Sequence, residues 1–223
     1  MKKVSLIFFI LIAASELISV SFNMPALQNV AKPFIMITLM VYYIFSVSAR
    51  NIFFMAALAC CWVGDVLLMF QQDELFFIGG LVAFLLGHIL YVICFRQMRF
   101  KNETGGLLNT QKIRFAFPII LAGTGLVTIL FPHLGDLKIP VTVYAVVLTI
   151  MVLQALLRFG FTSKKSFVLI FVGALFFMVS DSLLAINKFM QPLPMASLTI
   201  MATYIVAQFL IVEGAVWHST QSP

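Results

Sequence analysis

Residues 52–70 read IFFMAALACCWVGDVLLMF, a run in which Asp65 is the only charged side chain. A helix needs about 20 apolar residues to cross the hydrocarbon core of a bilayer, and this run is long enough. A charged group at that depth costs about 2.5 kcal/mol or more, so an acid there is a functional hypothesis by default. The stretch therefore predicts a membrane helix whose working residues include Asp65.

The composition of the 223-residue chain agrees with this prediction, since 62% of the residues are hydrophobic, 10% are charged and the mean hydropathy is +1.10. Soluble domains of this size do not have so little polar surface. The apolar runs are continuous rather than alternating, which excludes an outer-membrane β-barrel. The sequence thus predicts an all-α membrane protein, a single domain over residues 1–223, built as a bundle of eight transmembrane helices at residues 4–22, 31–49, 52–70, 75–95, 113–131, 139–157, 167–186 and 195–214.

The basic residues predict the orientation of these helices. Eleven Lys and Arg fall on one side of the membrane, whereas only Lys138 and Lys188 fall on the other. Because cytoplasmic loops are rich in Lys and Arg, we expect both termini in the cytoplasm. This distribution accounts for the net charge of +6 without a nucleic-acid partner. The first apolar run continues to Phe22, past the small residues of a signal-peptide site, so we expect an uncleaved first helix. As a separate expectation, the protein is a multi-pass protein of the bacterial inner (cytoplasmic) membrane.

A second acid, Asp181, repeats the setting of Asp65. The two lie 116 residues apart on the seventh and third segments, and each is followed by x-Leu-Leu. The same offset sets His88 against Tyr204. Because the offset spans four segments, both copies enter the membrane in the same direction. This spacing predicts a parallel four-plus-four repeat about the membrane normal.

The depth of each acid follows from its place in its segment. At 1.5 Å per residue, Asp65 and Asp181 both lie about 20 Å from the cytoplasmic end of a core about 30 Å thick. Glu16 reaches a similar depth on the first segment, and Lys32 enters from the outer side just inside the second. Two explanations remain open for the acids: they act on a substrate, or they form helix-to-helix hydrogen bonds or an ion pair with Lys32.

Other polar side chains lie at membrane depth on the fourth, sixth and eighth segments. A neutral His can orient a carboxyl group or relay a proton. Tyr and Gln in membrane helices commonly bond neighbouring helices, which is the structural alternative for each of them. The candidate substrate-binding residues are Lys32, Glu16, His88, Tyr91, Tyr144, Tyr204 and Gln208. No cluster of Cys and His suggests a zinc site, and no cofactor is expected.

Several short motifs in this order resemble the YhhN-type lysoplasmalogenase family. They are Ala31-Lys32-Pro33, Gly64-Asp65-Val66-Leu67-Leu68-Met69, Phe84-x-x-Gly87-His88-x-x-Tyr91, Ser180-Asp181 and Tyr204-x-x-x-Gln208. The resemblance covers essentially the whole chain. It implies an eight-helix membrane enzyme that hydrolyses the vinyl ether bond of lysoplasmalogens without a metal. The implied products are a fatty aldehyde and glycerophosphocholine or glycerophosphoethanolamine.

The family resemblance also implies roles for particular residues. Asp65 and Asp181 correspond to a catalytic pair. Vinyl ether hydrolysis needs a general acid at the β-carbon and a negative group facing the resulting cation, and two carboxyls that share one proton supply both. The charges of two other side chains, and not the resemblance, suggest Lys32 as the partner of the substrate phosphate and Glu16 as that of the choline or ethanolamine group. The expected partners are a lysophospholipid substrate and membrane lipid.

Two other functions are compatible with paired acids in a membrane. A proton-coupled transporter of a lipid or small amphiphile would also use acids at matched depth in parallel repeats. An intramembrane aspartyl protease is the weaker alternative, because Asp65 follows Val-Gly and Asp181 follows Val-Ser rather than the sequences typical of such proteases.

Overall fold

The computed structural model describes residues 2–100 and 105–221, and this part of the chain is helical, with short turns and no strand. Within these residues, eight helices are long and apolar enough to cross a membrane, which confirms the all-α prediction. They are α1 (Lys2–Ser21), α2 (Pro25–Ser46), α3 (Ile52–Leu67), α4 (Glu74–Gln97), α5 (Asn109–Leu130), α6 (Lys138–Leu156), α7 (Lys164–Phe189) and α8 (Ala196–Ser219). The chain is a multi-pass integral membrane protein.

The helices form two compact units, one over residues 1–94 and the other over residues 95–223. The first contains α1, α2, α3 and most of α4, and the second contains α5 to α8. The predicted repeat of four helices and the predicted orientation remain predictions.

The second helix starts earlier than the sequence predicts. It begins at Pro25 rather than at residue 31, because the fixed φ angle of proline suits the first position of a helix and its missing N–H is not needed there. The polar residues Gln28 and Asn29 made this first turn look like a loop. As a correction, Lys32 is the eighth residue of α2 and lies two turns inside the helix, not at its edge.

Aromatic packing and one indole hydrogen bond hold the first unit together. The ring of Phe54 on α3 lies 4.8 Å from that of Tyr43 on α2 and 5.7 Å from that of Tyr91 on α4. The indole N–H of Trp62 donates to the carbonyl oxygen of Pro33 at 3.1 Å. These contacts fix α3 against α2 at the level of Lys32, one residue before Pro33.

Glycines let α7 and α8 approach closely in the second unit. A Cβ atom on Gly173 would lie 2.9 Å from the Ala207 carbonyl oxygen, and one on Gly214 would lie 3.0 Å from the Ile170 nitrogen. Small residues at such crossings replace side-chain bulk with backbone contact, as is common in membrane helix pairs. The close approach fixes the register of α7 against α8.

A buried arginine joins the ends of the helices in the second unit. Arg158 follows α6 and has no exposed surface, although in the sequence it counts only as one of the loop cations. Its guanidinium donates to the Met98 carbonyl at 3.2 Å, the Ser166 carbonyl at 3.3 Å, the Ser166 hydroxyl at 2.8 Å and the Thr162 hydroxyl at 3.3 Å. The planar guanidinium thus links Met98 to the stretch that contains Thr162 and Ser166.

Candidate functional site

Asp65 lies in a tightly packed part of the first unit. It is the fourteenth residue of α3 and only 4% exposed. The preceding residue, Gly64, faces the ring of Phe84 on α4, and a Cβ atom there would lie 2.6 Å from that ring. Since real Cβ atoms do not approach so closely, any larger residue at this position would have to displace the Phe84 ring. The sequence Gly64-Asp65 therefore places the acid directly beside a helix contact.

His88 lies one turn beyond Phe84 on α4 and is fully buried. The two rings are stacked, with centroids 6.5 Å apart and an interplanar angle of 29°. Tyr91, three residues further on, is also fully buried and packs against Phe54. Asp65 and His88 thus lie on two helices, α3 and α4, that pack against each other where Gly64 meets Phe84.

Glu16 and Lys32 form a second group of charges in the same unit. Glu16 on α1 has no exposed surface, and the Ser19 hydroxyl lies 3.4 Å from its Oε2 atom. The side chain of Gln28 also interacts with this carboxylate, and Lys32 acts on it electrostatically. Lys32 directly precedes Pro33, whose carbonyl oxygen accepts the indole N–H of Trp62. Trp62 lies one turn before Asp65, so this contact connects the group to the part of α3 that carries Asp65.

Asp181 is half-buried on α7 and has a short hydrogen bond to another helix. The Tyr144 hydroxyl on α6 donates to its Oδ2 atom at 2.6 Å. This is the helix-to-helix bond that the sequence left open as the structural alternative. A carboxylate that accepts such a bond is held in one orientation, which suits catalysis as well as packing.

Tyr204 and Gln208 meet on α8 and adjoin the same part of α7. The Gln208 amide donates to the Tyr204 hydroxyl at 3.3 Å, and both side chains are buried. The Tyr204 ring packs edge to face on Phe177, with centroids 5.5 Å apart, and Phe177 lies one turn before Asp181. The second unit therefore brings four candidates onto three helices, α6, α7 and α8.

The candidates thus divide between the units. Glu16, Lys32, Asp65, His88 and Tyr91 belong to the first, and Tyr144, Asp181, Tyr204 and Gln208 belong to the second. The pairing of Asp65 with Asp181 stays a prediction. Among residues 2–100 and 105–221, no three His, Cys, Asp or Glu side chains are grouped so that they could hold a metal ion.

Two polar neighbours of the charged groups are absent from the predicted site. Ser19 lies three residues after Glu16, and Gln28 lies four residues before Lys32, spacings at which helical side chains are neighbours. A search at these spacings would have found both. The contact between Trp62 and Pro33 joins residues 29 apart and left no such local signal.

Comparison with known proteins shows clear similarity along most of the chain. The family model described as the YhhN family matches residues 27–215. The chain is 36% identical to human lysoplasmalogenase TMEM86B over 160 residues, which is 71% of this chain and 61% of that protein. It is 32% identical to a Mycobacterium tuberculosis lysoplasmalogenase over 160 residues, 71% of this chain and 58% of that one. The chain spans about three fifths of the length of these two relatives. No solved structure matches it.

Proposed function

This chain belongs to the YhhN family, and from that premise we propose that it is a lysoplasmalogenase, a membrane hydrolase that cleaves the vinyl ether bond of a lysophospholipid. The observation that carries the proposal is the enclosed Asp65 carboxyl in a helix that crosses the membrane. The name of the relatives, lysoplasmalogenase, supports the same activity. The substrate is then a single-chain lipid taken from the surrounding bilayer.

The reaction needs a proton donor that is shielded from bulk water. A carboxylic acid protonates the β-carbon of the vinyl ether, and the α-carbon becomes an oxocarbenium ion. Water adds to this carbon and returns a proton to the site, which gives a hemiacetal. The hemiacetal collapses to a fatty aldehyde and the glycerophospho-alcohol, so the acid is regenerated. The scheme parallels glycoside hydrolysis, in which one carboxyl is the acid and another stabilises the cation.

We assign the general acid to Asp65 and the stabilising carboxylate to Asp181. Asp65 is the more enclosed of the two, and enclosure keeps a proton donor away from water. Asp181 accepts the hydrogen bond of Tyr144, which holds its carboxyl group in one orientation, as a group that faces a forming cation requires. Tyr144 is then a positioning residue for Asp181.

The remaining candidates are assigned to substrate binding. Lys32 carries a positive charge on α2 and is the proposed partner of the substrate phosphate. His88 and Tyr91 on α4, together with Tyr204 and Gln208 on α8, are buried polar groups that can position the chain and the ether oxygen. Glu16 is proposed to bind the head-group cation.

The test is aldehyde release from a 1-alkenyl lysolipid by protein purified in detergent. The variants Asp65→Asn and Asp181→Asn are each expected to lose about 100-fold or more in kcat/KM, the size of a general acid–base contribution. The control is Asp73→Asn, since Asp73 is exposed in the turn before α4 and is expected to be silent. In D2O, the wild type should place one deuterium on the carbon next to the aldehyde.

The outcomes separate the proposal from its alternatives. Full activity in both aspartate variants would show that Asp65 and Asp181 are not the catalytic pair, without affecting the substrate assignment. Intact alkenyl lysolipid after long incubation, together with lipid movement driven by a pH gradient in proteoliposomes, would favour the transporter.

A further inference from the structure

The carboxylate of Glu16 in the first unit is only partly hydrogen-bonded. Its Oε1 atom is buried and has no hydrogen-bond partner of ordinary geometry among the described residues. The Ser19 hydroxyl lies near the other oxygen, Oε2, at 3.4 Å and also donates to the Glu16 carbonyl at 2.7 Å. A buried acceptor without a donor is destabilising, so its presence needs an explanation.

The positive charge near Glu16 does not donate a hydrogen bond to this oxygen. Lys32 on α2 acts on the carboxylate electrostatically, whereas the side chains that interact with it by hydrogen bonding are those of Ser19 and Gln28. The site therefore presents a positive group and a negative group on neighbouring helices. The head group of a zwitterionic lysolipid carries the complementary pair, a phosphate and an ammonium joined by two carbons.

We propose that Glu16 binds the ammonium of the substrate head group and that this site selects head groups that carry N–H bonds. The inference rests on the proposed function and names the substrate class within it: 1-alkenyl lysolipids of the ethanolamine type. An ethanolammonium has three N–H bonds, and one of them supplies the donor that Oε1 lacks. The phosphate of the same head group then faces Lys32.

A trimethylammonium head group would not satisfy this oxygen. Choline has no N–H bond, and proteins usually recognise such cations with the faces of aromatic rings. The groups that interact with Glu16 are hydrogen-bonding and charged side chains, those of Ser19, Gln28 and Lys32. A buried oxygen that lacks a donor is satisfied by an N–H bond and not by a quaternary ammonium.

The wild-type protein tests the inference directly with a series of four substrates. The series carries one alkenyl chain and a head group of ethanolamine, N-methyl-, N,N-dimethyl-ethanolamine or choline, which have three, two, one and no N–H bonds. We expect kcat/KM to fall most at the last step, by roughly tenfold or more, as expected when one charge-assisted hydrogen bond is lost. A flat series, or one that favours choline, would overturn the inference and leave the proposed function intact.

The variant Glu16→Gln tests whether this residue makes the choice. The amide keeps the shape and removes the charge, so the ratio of ethanolamine to choline activity is expected to fall toward one. The matched control is Glu213→Gln on α8, because Glu213 already accepts the indole N–H of Trp217 at 3.0 Å and should leave the ratio unchanged. An unchanged ratio in Glu16→Gln would assign the selectivity elsewhere and overturn the role of Glu16.

A binding measurement decides the matter if no substrate is hydrolysed. In that case the proposed function fails, and the melting temperature is measured with glycerophosphoethanolamine or glycerophosphocholine at equal concentration. Stabilisation by the ethanolamine compound alone, lost in Glu16→Gln, would support the head-group site without any activity. Equal shifts with both compounds, or no shift with either, would overturn it.

Discussion

Two charged side chains with no exposed surface, one in each compact unit, are buried in different ways. Arg158 donates four hydrogen bonds to backbone and hydroxyl oxygens in the second unit. Glu16 in the first unit keeps one carboxylate oxygen without a partner among the described residues. One charge is satisfied by the protein itself, and the other is not.

The difference separates a structural charge from a binding one. Burial, and secondarily the positive charge of Arg99, lower the pKa of Arg158 to about 9, so this cation is held at a cost that its four acceptors offset. A group satisfied in this way supports the fold around it. A group that is buried but incompletely bonded costs stability and is retained for another reason, of which ligand binding is the simplest.

The largest expected effect follows from removing the satisfied charge. Arg158→Met leaves the carbonyls of Met98 and Ser166 without this donor, and each unsatisfied buried acceptor costs about 1–3 kcal/mol. We expect the free energy of unfolding to fall by about 3 kcal/mol or more, seen as a large drop in melting temperature in detergent. The control is Arg114→Met, since Arg114 is exposed on α5 and should change little. Equal melting temperatures for the two variants would show that the Arg158 bonds contribute no net stability.

A smaller effect is expected at Gly64, where the helices are tightly packed but no hydrogen bond is lost. Gly64→Ala places a methyl group 2.6 Å from the Phe84 ring, and overpacking of this kind typically costs about 1–3 kcal/mol. The ring stacks on His88, so kcat should fall as well. Gly125→Ala is the matched control on α5: it meets no atom within 4 Å and should stabilise the helix by about 0.5–1 kcal/mol. If Gly64→Ala changed neither stability nor kcat, the packing beside Asp65 would accommodate the added methyl group without cost.

Most of the fold was readable from the sequence, because membrane helices must satisfy their own backbone and be continuously apolar. Each of the eight predicted segments overlaps one helix that is long and apolar enough to cross a membrane, with ends that differ by a few residues. The start of α2 was missed, since Gln28 and Asn29 interrupt the apolar pattern while Pro25 begins the helix. Polar residues near the start of a membrane helix can make side-chain contacts, whereas the hydropathy pattern alone predicts a loop there.

The residues of the candidate site could be predicted from the sequence, but their hydrogen bonds could not. Isolated charges in apolar runs identify Glu16, Asp65 and Asp181, since such residues are expensive in a bilayer. The sequence could not show that Asp181 is bonded to Tyr144, 37 residues away, or that Arg158 is buried. Both depend on how helices distant in the chain cross, and no local spacing encodes that.

The hydrogen bond between Tyr144 and Asp181 allows a test of an acid that already has a hydrogen-bond partner. Tyr144→Phe removes only the hydroxyl that donates to Asp181 at 2.6 Å. We expect a loss of about 1 kcal/mol in stability, in the range of single hydrogen bonds between membrane helices, and a roughly tenfold loss in kcat. Thr142→Val on the same helix is the control, because the Thr142 hydroxyl donates to the Lys138 carbonyl of its own helix. If kcat is unchanged while stability falls, Tyr144 is a packing contact and does not position the acid.

The smallest expected effect has the opposite sign and distinguishes Glu16 from Arg158 most sharply. Glu16→Met replaces an incompletely bonded carboxylate with an apolar chain of similar length, so the free energy of unfolding should stay level or rise by about 1 kcal/mol, because removing an unsatisfied buried group relieves its cost. Melting temperature in detergent measures this. A fall could still arise from the charge left on Lys32, which the double variant Glu16→Met with Lys32→Met removes. If the double variant also melts well below wild type, Glu16 supports the fold as Arg158 does, and the contrast between the two buried charges disappears.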